Sequence, residues 1–214
     1  MDEKSMTVPY AVMSQRQSPK SVKDNFPTPP WATRALLTYI IPGAKGTVWE
    51  PACGAGHMSK VLQTHFQKTL VSDAYHYPHH RHSIIDFTRP LSTYENVDWI
   101  ITNPPFKLAE TFITTALSIA TQGVAIFARS VLLESVGRYE RLFKDNPPSI
   151  FAQFVERVPI ITGHLDPNAT TATAYAWFVW LKPNLTPDFT RLMWIPPCRS
   201  SLEEAEDYGS KSKP

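Results

Sequence analysis

Val48-Trp49-Glu50-Pro51-Ala52-Cys53-Gly54-Ala55-Gly56-His57 is the stretch that decides the fold. A short apolar run ends in an acid, passes through a turn of small residues, and opens onto His57–Phe66. There Met58, Val61, Leu62 and Phe66 fall on one side of a helix. Glycines number 8 against 20 prolines, so two placed one residue apart are informative. Gly54 and Gly56 permit a tight turn and close approach of a ligand to the backbone. The helix start behind them offers free N–H groups. Position 59 is Ser, so the third glycine of a dinucleotide fingerprint is missing. Glu50 at the strand tip suits a cationic ligand group, an α-amino or a sulfonium, better than a pyrophosphate. A plain strand–helix turn is the alternative.

Working outward, Gly46–Glu50 is the strand that leads into this turn, and Trp31–Ile41 is a helix between Pro29-Pro30 and Pro42-Gly43. Downstream, Thr69–Asp73, a strand ending at Trp99–Thr102 and Gly123–Ala128 are apolar runs, with a helix over Leu108–Ala120. Ser149–Pro159 and Ala172–Leu181 are β-rich. The alternation implies an α/β fold, a mostly parallel twisted sheet with helices on both faces and an antiparallel element near its C-terminal end. Ligands of such sheets bind beyond the carboxyl ends of the strands. Residues 1–24 read as a loose arm, 25–195 as one domain, and 196–214 as a frayed tail without an apolar face.

Composition excludes several classes. The chain has 214 residues, 43% hydrophobic and 19% charged, a globular balance. No apolar run is long enough to cross a bilayer, and the N-terminus has no apolar signal region, so a cytoplasmic location is expected. Cys53 and Cys198 are too few for a disulfide framework or a four-cysteine zinc site. A net charge of +2 permits a nucleic-acid partner without requiring one. His76, His79, His80 and His82 cluster, but Pro78 interrupts them; they read as an exposed polar loop, and no metal is expected.

Three further strand ends carry polar groups. Asp73 lies about 20 residues beyond the glycine loop, where an acid commonly accepts ribose hydroxyls. Asp86-Phe87 ends another short apolar run; the pair suits an adenine amine and its ring. A turn or helix cap is the alternative for both acids; the spacing from the glycine loop counts against it for Asp73, and for Asp86 the two readings are about even. Trp99–Thr102 runs into Asn103-Pro104-Pro105-Phe106. The prolines fix φ and stiffen the turn. The Asn103 side-chain oxygen and the Pro104 carbonyl can then each accept one N–H of an exocyclic amine, with Phe106 stacked on its ring. A loop with a capping Asn is the alternative.

Taken together these residues resemble the S-adenosylmethionine-dependent amino-methyltransferases of the DNA adenine-N6 type. Glu50–Gly56 resembles motif I, Asp73 and Asp86-Phe87 motifs II and III, and Asn103–Phe106 the catalytic motif IV. Asp24–Trp31 resembles motif X, in the order of the gamma arrangement. The stretch from Leu133 to Trp180 looks like small enzymes of phage and prophage, some of them linked to restriction-modification. The resemblance implies a Rossmann-like class I methyltransferase with S-adenosylmethionine as cofactor. Glu50, Pro51, Ala52, Cys53, Gly54 and Gly56 would line it, with Thr28 and Pro29 at its methionine part. Asp73 would hold the ribose, and Asp86 with Phe87 the adenine. Asn103, Pro104, Pro105 and Phe106 would grip a flipped adenine, and Tyr175 or Trp177 would give the second stacking face. Arg138, with Arg129, Arg141 and Lys144, is a candidate phosphate contact, or else a solvated helix face. DNA is the substrate this resemblance implies. The 33 residues after Leu181 are expected to hold no target-recognition domain, so relaxed specificity, a specificity partner or a homodimer is expected. RNA adenine or protein glutamine are the alternative substrates. A non-catalytic partner subunit is the reading from another class.

Overall fold

Pro29 and Pro30 start the first helix, since a proline at the first helical position has no N–H to waste. In the computed structural model, which describes residues 25–78, 80–89, 97–182 and 189–208, this helix is α1 (Pro30–Ala35). It continues as a π-helical turn over Leu36–Ile40, so the single regular helix expected from the sequence loosens in its second half. The arm at 1–24 lies outside the described residues, as does His79.

The strands are β1 (Thr47–Glu50), β2 (Lys68–Asp73), β3 (Ser83–Ile84), β4 (Val97–Thr102), β5 (Ala120–Arg129), β6 (Ile150–Phe154), β7 (Tyr175–Leu181) and β8 (Arg191–Ile195). They form one sheet in the order β3-β2-β1-β4-β5-β7-β6-β8. β1 pairs in parallel with β2 and β4, and β4 with β5. β7 runs antiparallel to both β5 and β6. This is the mostly parallel sheet with a late antiparallel element that the alternation of strands and helices implies. The order reverses beside β1, which opens a crevice at the carboxyl ends of β1 and β4.

Helices α2 (His57–His65) and α3 (Ala109–Ile119) cover opposite faces. On β5, Ala125 and Phe127 turn to the face shared with Trp31, Leu62 and Trp177. Val124 and Ile126 turn to the face shared with Phe112, Ile113 and Trp180. The period of two on the strands thus feeds two separate cores. Each large side chain fully buried there contributes about 1.5–3 kcal/mol.

Two features depart from the sequence reading. β8 adds a strand parallel to β6 at the sheet edge. Its residues alternate between packed Met193 and exposed Leu192 and Trp194, too short a pattern to stand out. The expected tail is also packed, through Tyr208. Cys198 and Arg199 donate their backbone N–H groups to Glu156 Oε1 at 2.6 and 2.7 Å, and α5 (Arg199–Leu202) follows. Arg34 of α1 forks onto Asp207 at 2.8 Å and reaches the Leu202 carbonyl and Glu204. These partners are over 160 residues away in sequence, which is why composition alone read the segment as unsupported. Among the described residues no helix is long and apolar enough to cross a membrane.

Candidate functional site

A cavity of about 500 Å³ opens beyond the carboxyl ends of β1, β2, β4 and β5. Its size lies in the range of small-molecule and cofactor sites. The tip of β1 supplies Glu50, and the turn after it supplies Pro51, Ala52, Cys53 and Gly54. Thr28, Asp73, Asp86, Phe87 and the whole Asn103–Phe106 turn line the same space. Pro29 and Gly56 stand behind the wall: Pro29 precedes α1, and Gly56 begins α2 at φ +83°. A Cβ on Gly56 would lie 2.4 Å from the His80 ring, so that position needs glycine on two counts.

Glu50 is 2% exposed, and its Oε2 is buried without a hydrogen-bond partner. Burial, with the nearby Asp73 charge adding to it, holds its carboxyl well above the usual carboxylate range; a hydrogen bond with Ser59 opposes the shift. Such a group gains by meeting a cation. The raised value also has a stability consequence. An acid bound more tightly to its proton in the folded state loses stability as pH rises from the ordinary carboxylate range to the raised value. Glu50→Gln removes this penalty. The variant is expected to melt higher than the wild type near neutral pH, with the difference shrinking toward pH 4. A melting curve that does not change with the substitution across this range would contradict the assignment.

Asp73 is placed by backbone N–H groups. Its Oδ2 accepts from Gly54 at 3.0 Å and its Oδ1 from Tyr75 at 2.9 Å. The acid therefore shapes the glycine turn while facing the cavity. Asp86 accepts from the Thr88 N–H and hydroxyl and from Arg89 Nε. The Thr88 bonds hold its carboxyl below the usual range, so it stays ionised at the cavity edge. Phe87 is buried edge-on against Trp49 at 5.1 Å and next to Phe112.

Asn103 has the most specific geometry. Its Nδ2 donates to the Phe26 carbonyl at 2.8 Å and to Thr28 Oγ1 at 3.0 Å. A carbonyl can only accept, so the amide orientation is fixed. Both amide hydrogens are committed to the 26–28 strap, and the side-chain oxygen is the atom left to accept from a cavity ligand. The Pro104-Pro105 turn then carries Phe106, whose ring lies under the Arg129 guanidinium at 5.1 Å.

Of the two candidate stacking residues, Tyr175 lines the cavity, opposite Arg129 across the β5–β7 pair. Trp177 does not. It is 0% exposed and its indole N–H donates to the Ala32 carbonyl, so its ring has no face to offer a ligand. Arg138 lies outside the cavity wall, bound to two carbonyls and to Glu110. Arg141 and Lys144 pair with Glu110 and Glu140, which leaves Arg129 as the member of that basic set on the cavity wall. The sequence reading missed Tyr75 and Tyr77, which also line the cavity; their position directly after the β2 carboxyl end was the available signal.

Cys53, His80 and His82 converge, their potential ligand atoms within 4.8 Å of one another. Both ring nitrogens of His82 already lie 2.8 Å from carbonyl oxygens, and burial pushes the Cys53 thiol far up. A thiol that resists ionisation is a poor metal ligand.

No family model matches the sequence, and no curated protein matches it. Solved structures match by fold. A modification subunit provisionally assigned to a type I restriction enzyme of Vibrio vulnificus superposes with a TM-score of 0.54 at 16% identity, over 76% of this chain and 45% of that one. A provisionally assigned class I S-adenosylmethionine-dependent methyltransferase of Listeria monocytogenes gives 0.53 at 12%, over 81% and 64%. A provisionally assigned RNA methyltransferase of Pyrococcus horikoshii gives 0.54 at 15%, over 76% and 89%. The chain thus spans less than two thirds of the first two. At these identities the likeness is one of fold, that of the Rossmann-like class I methyltransferases.

Proposed function

We propose that the protein transfers a methyl group from S-adenosylmethionine to the N6 amine of adenine in DNA, with sequence specificity that is relaxed or supplied by a partner. The observation that carries this reading is the fixed Asn103 amide, whose oxygen is the side-chain atom left to accept on a cavity wall that Pro104 also lines. The resemblance of Asn103–Phe106 to motif IV supports an amine as the acceptor, and the order of motifs X, I and IV, which resembles the gamma arrangement, supports DNA as its carrier.

The residues present fit the cofactor. The orphaned Oε2 of Glu50 matches an ammonium or sulfonium cation, and Asp73 and Asp86 offer acceptors along the cavity toward a ribose and an adenine. Bound there, S-adenosylmethionine supplies an electrophilic methyl group. Asn103 and Pro104 take one amine hydrogen each, which fixes the plane of the target base and aims the amine lone pair across the cavity. Phe106 covers one face of the base, backed by Arg129. Neither acceptor is a strong base, so alignment and electrostatic fit would carry the step: the amine gains the methyl as the sulfonium–methyl bond breaks, the sulfur leaves as a neutral thioether, and the surplus amine proton passes to water.

The test is transfer of labelled methyl groups from S-adenosylmethionine to unmethylated double-stranded DNA, single-stranded DNA, total RNA and cell protein in parallel, with the modified unit identified by mass. N6-methyladenine in DNA is expected. Label in RNA or in glutamine would replace the substrate and keep the chemistry. Cofactor binding without transfer to any of them would overturn the enzymatic reading.

A further inference from the structure

β5 delivers Arg129 to the cavity wall, and the chain then leaves over a 3₁₀ turn, Ser130–Leu133, into α4 (Val136–Arg138). This loop is fastened to the rim of the cavity. The Arg138 guanidinium donates to the carbonyls of Leu132 at 2.8 Å and Glu134 at 2.6 Å, and pairs with Glu110 at 3.3 Å. Glu110 stands in the first turn of α3, next to cavity-lining Ala109. Arg141 grips the same carboxylate at 2.9 and 3.0 Å.

Such fastening is needed because the loop is strained. Ser135 has φ 111°, the one non-glycine residue with positive φ among the described residues. A conformation of that kind costs about 1–3 kcal/mol and persists only where its surroundings impose it. Its consequence is the presentation of Val136. That side chain is 81% exposed, more than any other large apolar side chain among the described residues. Val131 and Leu133 on the same loop are also exposed, as is Leu108 on the cavity wall, next but one to Glu110, to which the loop is fastened. The acids Glu110 and Glu140 are in ion pairs, Glu134 on the loop is exposed, and Lys107 and Arg129 bring positive charge to the cavity wall.

We propose that Val136 is a wedge that enters the base stack of duplex DNA at the place the target adenine vacates. The proposal rests on the reading of the cavity as an adenine-N6 methylation site. Taking a base out of a duplex leaves an unstacked gap, and an apolar side chain held rigidly beside the pocket fills it. A rigid loop suits this role because the insertion then costs no ordering of the loop at the moment of binding. Val136 touches neither the amine nor the cofactor, so it acts as a positioning residue.

The experiment compares wild type, Val136→Ser and Val136→Leu on two duplexes of one unmethylated sequence. In one, every adenine is paired. In the other, the thymines of the opposite strand are converted to abasic sites, so the adenines are already unpaired. Wild type is expected to methylate both. On the paired duplex Val136→Ser is expected to lose about tenfold in kcat/KM. On the abasic duplex it should stay within about twofold of wild type, because the gap no longer needs to be made. Val136→Leu should retain activity on both, and cofactor affinity should not change in either variant. An equal loss on the two duplexes, no loss on either, or wild type inactive on the abasic duplex alone overturns the wedge and leaves the methylation reading standing. Wild type that methylates neither duplex overturns both.

Discussion

Asn103→Ala is expected to lower kcat for methyl transfer by about a thousandfold, in the range seen when one positioning hydrogen-bond group is removed from an active site. The substitution deletes the side-chain oxygen that would accept the substrate amine. It also frees the 26–28 strap from its two bonds at 2.8 and 3.0 Å. Since Thr28 lines the cavity, a smaller loss of cofactor affinity is expected, about fivefold, the worth of roughly one net hydrogen bond. The ratio of the two effects is the test. Single-turnover transfer and calorimetric titration of S-adenosylmethionine measure them separately. Equal losses in both would reduce Asn103 to a strap anchor, and near-normal turnover would remove it from the chemistry. Asn103→Asp sharpens the comparison. It keeps an oxygen toward the cavity but sets a second one against the Phe26 carbonyl, so it should lose the strap without gaining activity.

Arg34→Met is expected to destabilise the protein by about 3 kcal/mol, the cost of leaving one partner of a buried ion pair alone. The Asp207 side chain is 3% exposed and bonded to both terminal nitrogens of Arg34. Without the guanidinium its carboxylate would be stranded in the protein interior. For a chain of this size the melting temperature should fall by about 6–12 °C. The segment from Cys198 to Tyr208 should become cleavable by protease under native conditions. Arg34→Lys keeps the charge but not the fork, and should fall between the two. Combining Arg34→Met with Asp207→Asn should recover part of the loss, because no charge is then stranded. A melting temperature unmoved by Arg34→Met would mean that the C-terminal segment does not hold α1.

The sequence alone determined that the early strands run parallel and at which end of the sheet the cavity opens. Short apolar runs alternate with helical patterns from Thr47 onward, and each run ends in a polar residue or a rigid turn: Glu50, Asp73, Asp86, Asn103. Local spacing carries that information, because side-chain period and turn chemistry are set by near neighbours. The tertiary structure decided what depends on distant partners. It buried Trp177 under α1 and brought Tyr175, 7% exposed, to the cavity wall at the end of the strand, although both lie on the same face of β7. It drew Arg138 onto Glu110 and away from the cavity wall. It packed Cys198–Tyr208 through Arg34 and Glu156, and fixed the Asn103 amide by a strap more than 70 residues upstream. Each of these rests on burial or a hydrogen bond between segments remote in sequence, and such pairs leave no periodic trace in the chain itself.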